Sequence, residues 1–133
     1  MNAALILQMI VRVLGLLLLV LGLIFWTGNA YSLVQAHVWL GYLFTIVLFA
    51  LVFLAFRAGV SIGFLIPAAL VGISLPVWGL NQGSVFQESY RWAAQVLHAV
   101  SGILAIGLAE MLGAQIRRKN AASSDAAPPP AAR

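Results

Sequence analysis

Four apolar runs, each about as long as a bilayer is thick, constrain this chain more than any other feature. They lie near Ala4–Trp26, His37–Phe56, Val60–Trp78 and Trp92–Ala114. A helix rises about 1.5 Å per residue, so roughly 20 apolar residues cross a hydrocarbon core ~30 Å thick. In lipid, backbone N–H and C=O groups must bond within their own segment, which rules out open strands and leaves helix. Composition agrees: the chain is 63% hydrophobic and 8% charged, whereas a soluble domain carries about a quarter charged residues. The expected fold is all-α, an integral membrane four-helix bundle running up-down-up-down over residues 1–114.

The connections set the orientation. Arg57-Ala58-Gly59 is a tight turn, while Thr27–Ala36 and Gly79–Arg91 are longer and carry Gly28, Asn29, Asn81, Gln82 and Gly83. From Gln115 the chain passes through Arg117-Arg118-Lys119 into an Ala/Ser/Pro-rich stretch with Pro128-Pro129-Pro130. Such a composition builds no core, so residues 115–133 are expected to form a disordered cytoplasmic tail. With four spans, Arg57 and the Arg117–Lys119 cluster share one side. The positive-inside rule makes that side cytoplasmic and places both termini there, in a bacterial inner (plasma) membrane. On the opposite side Arg91 and Glu88 cancel. Trp26, Tyr31, Trp39, Trp78, Tyr90 and Trp92 gather there as an interfacial belt. The net charge of +4 thus reads as topology, with no nucleic-acid partner implied. A second reading of the first span exists. Arg12, the run Val13–Phe25 and Gly28-Asn29-Ala30 resemble a signal peptide with its cleavage site. Cleavage would leave three helices in the same orientation. The apolar residues before Arg12 favour a retained span.

The two halves look related. The first span ends Trp26-Thr-Gly-Asn29 and the third Trp78-Gly-Leu-Asn81; the second carries His37-x3-Gly41 and the fourth His98-x3-Gly102. His37 lies about 30 Å along a helix from Arg57, and His98 about 28 Å from Arg117. The two histidines therefore sit at similar depth near the outer side. They ride helices that run in the same direction and face each other diagonally across the bundle. Two hairpins related by an axis along the membrane normal would produce this pattern.

A glycine four residues after a histidine lies one turn further on the same helix face. It leaves no side chain where a planar group could lie against the backbone. His37 with Gly41 and His98 with Gly102 thus suit a haem held by two axial imidazoles. With no cysteine in the sequence, disulfides, Cys-ligated zinc, iron–sulfur clusters and covalent c-type haem are excluded, so any haem would be non-covalent, with His or Met as its ligands, and a bis-histidine haem b is expected. Copper or zinc would want a third ligand nearby, and Gln95 is a poor one. The plainer reading is two interfacial histidines bonded to water or backbone. Arg91 lies two turns outward of His98 on the same face, where it could pair with a haem carboxylate or serve as an ordinary interfacial arginine. Gly41 and Gly102, like Gly15, Gly22, Gly63 and Gly72, could also serve close helix packing.

Arg12 and Glu110 are charges within spans, which are costly unless paired. Both fall in the inner half on neighbouring helices, so a structural ion pair is expected, with a proton or ion site as the alternative. Pro67 is expected to kink the third span and Pro76 to help end it.

The pattern of His37, Gly41, His98, Gly102 and Arg91 within four spans resembles the small membrane b-type cytochromes, the cytochrome b561-like four-helix domains. The resemblance implies helical histidines holding haem b inside the bundle. The chain departs from the two-haem members, which carry a second histidine pair toward the opposite side. One outer haem cannot carry electrons across the whole membrane, so a quinone or a partner subunit of a respiratory or redox complex would complete the route. Single-haem anchor subunits of respiratory complexes are the nearer functional analogy. Two other functions stand beside this one: a small four-span transporter or channel, working as a homodimer and using Glu110, and an accessory subunit without chemistry. No nucleophile–base set, phosphate loop or zinc motif supports a stand-alone enzyme.

Overall fold

The computed structural model describes residues 3–81 and 90–125, with side chains to residue 123. Its helices are α1 (Ala3–Trp26), α2 (Val34–Arg57), α3 (Ile62–Asn81) and α4 (Arg91–Asp125), with a 3₁₀ turn at Tyr31–Leu33. All four are long and apolar enough to cross a membrane. Large apolar side chains such as Val13, Leu23, Ile46, Phe56, Leu70 and Ile103 are exposed around the bundle. Water would penalise that surface, whereas lipid solvates it. The chain is a multi-pass membrane protein of all-α class.

Antiparallel neighbours close a ring: α1 packs on α2 and α4, α3 packs on α2 and α4, and α2 and α4 also meet directly. The core follows that short diagonal. Phe44, Leu48, Leu51 and Ala55 of α2 are buried with Ala105, Ala109 and Leu112 of α4, joined by Val11 of α1 and Ala68 of α3. Lipid offers little hydrophobic drive between helices, so close approach must come from small residues. At Gly15 a Cβ would stand 2.6 Å from Ile106 and 3.1 Å from Phe44. At Gly72 it would stand 3.3 Å from Leu48 and Phe49.

Both α1 and α2 end in a Schellman motif. Gly28 (φ +83°) and Gly59 (φ +70°) adopt the left-handed conformation that glycine tolerates. Gly28 N–H donates to Phe25 (3.0 Å) and Asn29 N–H to Ile24 (3.2 Å); Gly59 N–H donates to Phe56 and Val60 N–H to Ala55, both at 3.0 Å. These bonds satisfy last-turn carbonyls that lipid would leave bare.

Three boundaries differ from the sequence expectation. First, α2 begins at Val34, so His37 lies in its first turn. Second, Pro76 does not end α3, which continues to Asn81 with both prolines inside it. An interior proline costs the helix one hydrogen bond, but unwinding in lipid would strand several backbone groups. Third, α4 does not give way to a disordered tail at Gln115; it remains helical to Asp125. Gln115–Ala122 holds no Gly or Pro and continues a helix already nucleated by its span, so each added residue costs little. Lack of a core bars a separate domain there, but it does not bar an extended helix. Gln82, Gly83 and Glu88, and the tail from residue 126, lie outside the described residues.

Candidate functional site

His37 stands in the first turn of α2 and His98 in the third turn of α4, the two helices that touch across the diagonal. Their rings face each other with centroids 6.3 Å apart and planes tilted by 54°. Both side chains are half-buried, and Nδ1 of each is fully buried with no hydrogen-bond partner. Buried polar atoms are nearly always bonded, because desolvation without a partner costs about 1–3 kcal/mol. Each leaves hydrogen-bonding or ligating capacity that a ligand can satisfy.

Elements around the rings fix their attitude. Phe25 of α1 meets His37 edge-on, with centroids 5.4 Å apart and planes at 69°. The Leu75 carbonyl of α3 lies close enough to the His98 ring to interact with it electrostatically. The rings pack on glycines of the neighbouring helices: a Cβ on Gly79 of α3 would stand 3.1 Å from His98 Cε1, and one on Gly22 of α1 would stand 3.9 Å from His37 Cε1. Gly41 faces nothing within 4 Å, and Gly102 meets only Leu19 at 3.9 Å, so the space one turn from each histidine on its own helix is open.

Two imidazoles bonded to one metal ion at about 2 Å each would have centroids about 6 Å apart, close to the observed spacing. No group of three or more His, Cys, Asp or Glu side chains that could hold a metal exists among the described residues. A bare tetrahedral ion would therefore lack protein ligands. A macrocycle that brings its own equatorial donors needs only the two axial ones. Arg91 opens α4, exposed, about 10 Å along the axis from His98.

A second polar cluster lies at the other end of the bundle. Arg12 donates through Nε (2.9 Å) and Nη2 (2.7 Å) to Glu110 Oε1. Gln8, buried to 3% exposure, donates to Glu110 Oε2 (3.0 Å) and to its backbone carbonyl (3.2 Å). Arg117 Nη1 donates to Gln8 Oε1 at 2.6 Å. Gly113 makes this possible, since a Cβ there would collide with the Gln8 amide. Sequence reading had Arg12 and Glu110 but missed Gln8, Gly113 and Arg117. The clue was available: Gln8 lies one turn before Arg12, and Arg117 two turns after Glu110, each on the same face as its partner.

No protein-family model, curated protein or solved structure matches this chain.

Proposed function

We propose that this protein is a membrane b-type cytochrome that holds one haem b between His37 and His98 and passes single electrons to a quinone or a partner subunit. The observation that carries the reading is the pair of facing imidazoles, each with a buried Nδ1 lacking any partner, at a spacing suited to one shared metal ion. Bound there, haem would supply a one-electron couple, and with both axial positions taken by histidine it would leave no site for oxygen chemistry.

The chain's own residues do the rest. His37 and His98 supply the ligating nitrogens. Phe25 packs edge-on against His37, and Gly79 and Gly22 let the two rings pack closely on α3 and α1. The exposed Arg91 offers a cation toward the end of the bundle where acidic groups of the cofactor would meet water. With Arg57 and Arg117–Lys119 on the cytoplasmic side, the histidines lie near the outer face of a bacterial inner membrane. The transporter reading is less well supported: both Glu110 carboxylate oxygens are engaged by Arg12 and Gln8, which suits a brace.

The test is spectroscopic. Protein purified from haem-replete cells is expected to show a sharp reduced α-band and a low-spin bis-imidazole electron paramagnetic resonance signal. His37→Ala or His98→Ala should abolish both. A colourless protein with full haem supply overturns the proposal.

A further inference from the structure

The Gln8–Arg12–Glu110–Arg117 cluster is more than a neutralised ion pair. The network holds two guanidinium groups and one carboxylate, Arg12 bonding Glu110 directly and Arg117 through Gln8, so it keeps a net charge of about +1, with Arg118 and Lys119 exposed one and two residues further on. Its members come from antiparallel α1 and α4 and are held by five hydrogen bonds, three of them through the buried Gln8 amide. The site is built, yet open. The Arg12 side chain is 61% exposed and that of Glu110 39%.

Depth identifies what could meet it. Measured from the aromatic end of α4 at Trp92, Glu110 lies about 27 Å down the helix and Arg117 about 37 Å. A hydrocarbon core ~30 Å thick ends between them. Arg117 thus reaches the level at which phospholipid phosphates lie, and Arg12, about 21 Å down α1 from Trp26, can snorkel toward it on its long side chain. A braced cationic cluster that reaches this depth matches the anionic head of a phospholipid.

We propose that the α1/α4 groove at this end of the bundle binds one anionic glycerophospholipid, its phosphate held on Arg12 and Arg117. Glu110 and Gln8 act as positioning residues: they hold the two guanidinium groups at a fixed separation and keep the site from binding a second anion. Basic pockets between membrane helices are known hosts for anionic headgroups. The inference stands independently of the haem reading, because it involves neither histidine.

The full chain in a neutral detergent is titrated with phosphatidylglycerol, with phosphatidylcholine and with inorganic phosphate, following thermal unfolding and lipid adducts by native mass spectrometry. Phosphatidylglycerol is expected to raise the midpoint and to leave a one-to-one adduct, and the other two are not. Arg117→Gln should lose the adduct, and the charge-balanced double variant Arg12→Gln/Glu110→Gln, which leaves no unpaired carboxylate, should lose it too. Arg118→Gln should keep it. Equal shifts with phosphatidylcholine overturn the proposal, as does an equal loss in Arg118→Gln, which would reduce the effect to general surface charge. An effect reproduced by inorganic phosphate alone overturns the lipid assignment in favour of a free-anion site.

Discussion

Gly79 and Gly41 make a controlled comparison. Both are helical glycines near a histidine, but only Gly79 has an imidazole where its Cβ would stand. Gly79→Ala should force the His98 ring to give way by a few tenths of an ångström, lowering haem retention and shifting the α-band; Gly79→Leu should abolish binding. Gly41→Ala should leave the spectrum intact and stabilise α2 by up to about 1 kcal/mol, since alanine removes the conformational cost of an interior glycine. Haem content per protein and the unfolding midpoint in detergent check both arms; equal spectra for Gly79→Leu and wild type would contradict the assigned role. The two histidines were legible in the sequence because a polar ring in an apolar run stands out. Gly22 and Gly79 were not. Their role depends on which residue of α1 or α3 lands opposite a ring, and helical periodicity within one segment does not determine the rotation of the next.

Helix-level features divide in the same way. The four spans and the glycine-bearing turns after α1 and α2 follow from local rules of hydropathy and capping, and the structure has them. The lengths of α3 and α4 do not follow from those rules. Continuation through Pro76 depends on the lipid cost of unwinding, and continuation to Asp125 on the membrane segment acting as a nucleus. Close crossings carry the sharpest predictions. Gly15→Leu drives bulk into Ile106 and Phe44, and overpacking of this kind costs about 1–3 kcal/mol. Gly113→Ala displaces a buried glutamine from the amide contacts it makes with Glu110 and Arg117, and an unsatisfied buried amide costs about 1–3 kcal/mol. Unfolding in detergent with sodium dodecyl sulfate should show both losses. Gly107→Ala, with nothing within 4 Å of its Cβ position, serves as the neutral reference.

Across the whole molecule, the ring of four helices with a short diagonal decides which ends meet. Orientation is open to a direct chemical test, because the sequence contains no cysteine. A single cysteine placed at Gly59 or Asn120 should resist a membrane-impermeant maleimide in intact cells and react after permeabilisation; one placed at Asn29 should react at once. Labelling of Asn29→Cys only after permeabilisation would invert the topology. Diagonal contact also has a consequence for assembly. The hairpin α1–α2 contributes one imidazole and the hairpin α3–α4 the other, so neither half would contain the whole of the proposed haem site. Produced separately, the two fragments should each stay pale; produced together, they should colour in proportion to the amount of reunited bundle. The pigment would then serve as a stoichiometric gauge of correct helix pairing, readable by eye during membrane insertion.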